Sequence, residues 1–181
     1  MTASFVLLLG LVLVSEVIVG TEVFRRRRWR AYLWPSLALG MGVGLWIITI
    51  FSTFSTMHLL AHAVWAEAAM IAGSVQLAVV RGKLRSPHWS LVTAAALLVS
   101  GAAFLVHEPN PWLYSRGAFL HHVIGWMLVV AALFPIGQAL RPRALRWRTG
   151  FALTFIVLAL FLFADRDAAP IFGHFQGFSG G

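Results

Sequence analysis

The chain has 181 residues, of which 60% are hydrophobic and only 11% charged, against about a quarter charged in ordinary soluble domains. One soluble core of this size cannot absorb so much apolar surface, whereas lipid can. The absence of cysteine excludes disulfides, thiolate metal sites and cysteine nucleophiles, and the net charge of +8 raises nucleic acid as a partner only until the charges are placed.

A helix crosses the hydrocarbon core with about 20 mainly apolar residues. Six stretches meet or approach that length: 3–24, 31–54, 57–80, 89–106, 117–140 and 149–164. The fourth and sixth are short and are expected to borrow residues from their flanks. The connections between them are brief, so the whole chain, 1–181, is read as one all-α transmembrane domain. The first span is not read as a cleaved signal peptide, because its positive flank (Arg25 to Arg28 with Arg30) follows the apolar run and no small-residue cleavage site succeeds it.

Basic residues set the expected topology. Five arginines lie between spans one and two. Arg81, Lys83 and Arg85 lie between three and four, and Arg141, Arg143, Arg146 and Arg148 between five and six. Twelve of the fourteen basic residues thus share one side of an alternating six-helix bundle, and only Arg116 and Arg166 fall opposite. The expected arrangement is a polytopic six-helix bundle in a bacterial inner membrane, with both termini outside and residues 165–181 as an extracytoplasmic tail. The arginines then anchor at cytoplasmic headgroups, which removes the nucleic-acid reading.

Smaller features refine the spans. Trp29, Trp34, Trp89, Trp112 and Trp147 fall near span ends, where aromatic belts form, while Trp46, Trp65 and Trp126 lie deeper and are expected to pack against other helices. Pro35 and Pro135 are candidate bends. Gly40, Gly42 and Gly44 open the second span to a neighbouring helix or a flat ligand. Gln76 and Gln138 are candidates to link helices. Glu16 and Glu22 approach the arginines that follow span one.

The histidines are one-sided. His58 and His62 open span three, His107 closes span four, His121 and His122 open span five, and His174 lies in the tail; only His88 is on the basic side. Four residues apart, His58 and His62 project from one helix face. His121 and His122 are adjacent and diverge by about 100°, so one is expected to bind while the other turns elsewhere. The segment from His107 and Glu108 through two prolines to Trp112 is stiff and not expected to be helical. A single interfacial histidine is most often a hydrogen-bonded boundary residue, but ionisable groups in spans are costly and usually functional. Glu67 stands near the middle of span three, where it is expected to be neutral or paired, on a different face from His62.

Three functional readings remain open. The first is a transition-metal site, copper foremost, with His58, His62, His121, His122, His107 and Glu108 as candidate ligands, since imidazole suits copper and Met57 suits Cu(I); a periplasmic metal or electron donor is then a partner. The second is haem b held by His62 with His121 or His122, with Arg116 toward a propionate and Ala66 and Gly125 as small neighbours. The third is a cofactor-free accessory subunit of a larger membrane complex. No nucleophile–base pair or phosphate-cradling loop supports a hydrolase, and the sequence does not decide whether the site is catalytic.

The runs Met57-His-Leu-Leu-Ala-His62 and Leu120-His-His-Val-Ile-Gly-Trp126 resemble those of bacterial copper-resistance D-type membrane proteins. The similarity covers the starts of spans three and five. It implies copper uptake or tolerance and carries over only to His58, His62, His121 and His122.

Overall fold

A computed structural model describes residues 8, 10–14, 28–51, 56–106 and 115–164, excepting the side chains of 28, 30, 56–58, 115–118 and 163–164. Every regular element among them is helical. Residues 8 and 10–14 form the described part of α1; α2 is Leu33–Phe51, α3 Thr56–Val80, α4 Ser90–Val106, α5 Ser115–Leu140 and α6 Leu145–Ala164. Five of these, α2 to α6, are long and apolar enough to cross a membrane. The short fourth and sixth spans do extend at their N-termini: a 3-10 turn, Pro87–Trp89, precedes α4, and α6 starts at Leu145.

The polar residues do not gather on one face, and the outward surface is apolar along the helices. Ile47, Leu60, Ile71, Val99, Leu133 and Leu160 are each more than half exposed. In water each would forfeit about 1 kcal/mol of burial. In lipid none of that is lost, so the surface is what a bilayer environment requires.

Helices succeed one another as an antiparallel meander, each packed on its sequence neighbour. Small residues set the contacts. Gly42 of α2 lies against the Ala66 carbonyl and Met70 of α3, and Gly73 of α3 against Pro35 and Leu39. Gly101 and Gly125 pack α4 on α5, and Gly137 and Gly150 admit the Trp147 and Phe134 rings between α5 and α6. A Cβ at Gly10 would meet Ile156, which places α1 beside α6. The interior joins Leu13, Leu97, Ile124, Leu128, Phe151 and Phe155, with Trp34, Leu37 and Met41 of α2 packed against them.

Local chemistry fixes the turns at one end. α3 closes with Gly82 at φ +73°, where Gly82 N donates to Val79 O (2.9 Å) and Lys83 N to Ala78 O (3.0 Å). This is the glycine-terminated helix end that satisfies otherwise orphaned carbonyls. The Ser90 hydroxyl lies within donating distance of Pro87 O (2.8 Å) and Pro135 O (2.9 Å), tying the start of α4 to α5. Gln76 Nε2 donates to Thr93 Oγ1 at 3.1 Å, so Gln76 does link two helices.

Two expectations need correction. Pro35 lies in the first turn of α2, after a 3-10 turn over Arg28–Tyr32, where proline is tolerated rather than set in a helix interior. Among the described residues Pro135 is the proline set in a helix interior. Trp126 faces outward at 60% exposure rather than packing on a neighbour. Within the glycine triplet, Gly42 meets α3, and a Cβ at Gly40 or Gly44 would find open space, which leaves that side of α2 open to a neighbour as expected.

The meander brings the basic connections to one end of the bundle. Arg81, Lys83, Arg85, Arg141, Arg143, Arg146 and Arg148 are all exposed there. Arg146 stacks its guanidinium over Trp147 at 5.0 Å. The opposite end carries His62, His121 and His122.

Candidate functional site at the histidine end

The site is built where α3, α4 and α5 run side by side. Trp65, one turn along α3 from His62, donates its Nε1 proton to Ser100 O of α4 at 3.2 Å. That bond fixes the indole against α4, and Phe104 then stacks on it, with ring centroids 4.1 Å apart and planes 17° from parallel. His62 meets the indole in a T-shaped contact at 5.1 Å. His121 of α5 lies against the other partner, Phe104, at 5.5 Å and 43°. The result is a four-ring file, His62–Trp65–Phe104–His121, crossing three helices. Each aromatic pair contributes about 0.5–1.5 kcal/mol beyond its burial, so the file also braces this end of the bundle.

His121 and His122 part company as their 100° divergence requires. His121 is half-buried and joins the file, whereas His122 is exposed. On α3, Glu67 faces outward and accepts the Trp46 Nε1 proton at 3.0 Å, away from the face that carries His62. Phe104 and Ser100 were not singled out by sequence. The available signal was an aromatic residue one turn before His107, at the depth of Trp65 on the neighbouring span.

The remaining candidates are located only in part. Position 58 is in the first turn of α3 and position 116 in the first turn of α5, with side chains outside the described residues. His107, Glu108, the proline-rich connection and the tail with His174 lie wholly outside them. Among the described residues no group of three or more His, Asp or Glu side chains is arranged to hold a metal ion.

The small residues expected to clear space for a tetrapyrrole serve a different purpose. Ala66 is fully buried with its carbonyl against Gly42. Gly125 is pressed on Gly101 and Leu105, where an added Cβ would come within 2.8–3.0 Å of its neighbours. Among the described residues α4 runs between α3 and α5, which make no close backbone approach to each other. The imidazoles suit an ion as donors, but the clearance for a flat macrocycle beside Ala66 and Gly125 is taken up by helix packing.

No protein-family profile matches the sequence, and neither a curated protein nor a solved structure matches it.

Proposed function

We propose that this integral membrane protein binds a transition-metal ion, copper foremost, at the extracytoplasmic face of a bacterial inner membrane, and that it serves copper handling. The observation that carries the reading is that imidazoles from α3 and α5 stand at a common end of the bundle, as the two terminal rings of the four-ring file. That end is opposite the basic connections, and the positive-inside rule assigns those to the cytoplasm.

In this reading His62 and His121 are imidazole donors whose rings are oriented by Trp65 and Phe104. His58, one turn from His62 on α3, is the nearest further donor by sequence, and His107 and Glu108 complete the candidate set. Neutral imidazole with a thioether close by suits Cu(I), and Met57 adjoins His58. A bound ion supplies Lewis acidity or one-electron chemistry; the chain's own task is to orient the imidazoles and keep lipid from them. Haem b ranks second, because the small residues Ala66 and Gly125 face neighbouring helices rather than open space beside the imidazoles.

The test is an absorption spectrum of purified protein, oxidised and dithionite-reduced, with metal analysis of the same sample. Stoichiometric copper without a Soret band supports the proposal. A Soret band with sharp reduced α and β bands overturns it in favour of a b-type cytochrome. Neither signal leaves the accessory-subunit reading ahead.

A further inference from the structure

The basic end carries a charge that the chain itself does not balance. Arg81, Lys83, Arg85, Arg141, Arg143, Arg146 and Arg148 are exposed there, and the arginines from 25 to 30 precede α2 at the same end. Of the six acidic residues, Glu67 lies within α3, while Glu108, Asp165 and Asp167 follow α4 and α6 at the histidine end. Glu16 and Glu22 are left to approach the basic residues, two acids against twelve cations. Wherever those two stand, the excess at this end attracts an anion from outside the chain.

One connection is built differently from the others. Between α5 and α6, Arg141, Arg143, Arg146 and Arg148 fall within eight positions, with neither lysine nor acid among them. Arg141 N donates to Gly137 O at 2.8 Å and closes α5, and Ala144 N donates to Arg141 O at 3.1 Å and leads into α6. The turn therefore has a fixed course, with two arginines on each side of Ala144. Arg146 stands over the Trp147 ring, and that indole is seated on Gly137 and in T-shaped contact with Phe134. This guanidinium is placed before any ligand arrives, which lowers the entropic cost of binding. Guanidinium forks match the oxygens of a phosphate. In the α3–α4 turn, by contrast, Arg85 Nε donates to the chain's own Gly82 O at 3.4 Å, and one of the three cations is a lysine.

The apolar neighbours decide the kind of anion. Leu140 and Leu145 bracket the turn and are 74% and 56% exposed. A soluble polyanion would leave both in contact with water. A phospholipid brings its phosphate to the arginines and its acyl chains to the leucines. We infer that the α5–α6 turn is a binding site for one anionic phospholipid, with its phosphate held by the guanidiniums of Arg143 and Arg146 and an acyl chain along Leu140 and Leu145. General attraction of headgroups to basic residues would spread lipid over the whole end, whereas this site concentrates it at one turn. The site is independent of the histidine end and stands whether or not a metal binds there.

The test uses the full chain, purified in mild detergent and stripped of lipid. It is titrated with phosphatidylglycerol, or with phosphatidylcholine of the same acyl chains, and the lipid-bound chain is counted by native mass spectrometry. One phosphatidylglycerol per chain, held at least about tenfold more tightly than phosphatidylcholine, is expected. Arg143→Gln with Arg146→Gln should weaken it about thirtyfold, as the loss of two surface arginines implies, while Arg81→Gln with Lys83→Gln changes it by less than about threefold. All four positions are exposed, so both pairs should keep the native unfolding temperature. Equal losses from the two pairs, equal retention of the two lipids, or displacement of phosphatidylglycerol by millimolar inorganic phosphate overturns the inference.

Discussion

At the residue scale, Trp65 is the hinge of the histidine end. Its ring stacks on Phe104 and receives His62, and its N–H reaches the α4 backbone. Trp65→Ala removes the stack, and the expected loss is about 2 kcal/mol. That is below the aqueous range of about 3–5 for such truncations, because the side chain is half-buried and its alternative surrounding is lipid. Trp65→Phe keeps the stack and loses the bond to Ser100 O, for roughly 0.6 kcal/mol, the mean for hydrogen bonds between membrane helices. Thermal unfolding in mild detergent separates the two. Equal destabilisation by both variants would show that the hydrogen bond, and not the stack, holds α3 on α4.

The divergence of His121 and His122 was legible in sequence, because adjacent helical positions point about 100° apart. Which of them turns inward was not. That depends on the rotation of α5 about its axis, set by Gly125 packing on Gly101, a long-range contact that no local pattern encodes.

At the element scale, close helix pairing rests on glycines whose missing Cβ is required by a neighbour. A Cβ at Gly42 would lie 2.5 Å from Met70 Cγ and 2.6 Å from the Ala66 oxygen, whereas at Gly40 it would touch nothing. Gly42→Ala is therefore expected to push α2 from α3 and cost about 1–3 kcal/mol, as overpacking does. Gly40→Ala should leave the protomer's unfolding temperature unchanged or slightly raised, since alanine is the better helix former. The comparison is one melting experiment on two purified variants. The sequence marks all three glycines alike, and only the rotation of α2 against α3 tells them apart. Pro35 shows the same limit. Its place in the first turn follows from a helix that starts at Leu33, a boundary that apolar runs locate only to within a few residues.

At the scale of the whole molecule, the apolar runs and the segregation of arginines made the bundle legible. Each connection is short enough to force antiparallel neighbours, and the antiparallel meander then collects the basic turns at one end. The site was legible only as a tendency of histidines toward the other end, because the rings that organise it come from three helices. The topology has its own test. Single cysteines at Lys83 and Arg143 should react with a membrane-impermeant maleimide only after the cells are opened. A cysteine near the start of span one should react in intact cells. Labelling of Lys83 and Arg143 from opposite sides would refute the six-span arrangement.

The central claim is that histidines at this end of the bundle hold a metal ion, with His62 of α3 and His121 of α5 among the donors and His122 apart from it. The most direct measurement is the copper content of the full chain purified after expression in copper-supplemented medium, for the native sequence and for His62→Ala, His121→Ala and His122→Ala. Stoichiometric copper in the native chain and in His122→Ala, with loss in both His62→Ala and His121→Ala, is the predicted result. Copper retained in His62→Ala and His121→Ala, or absent from the native chain, would contradict it.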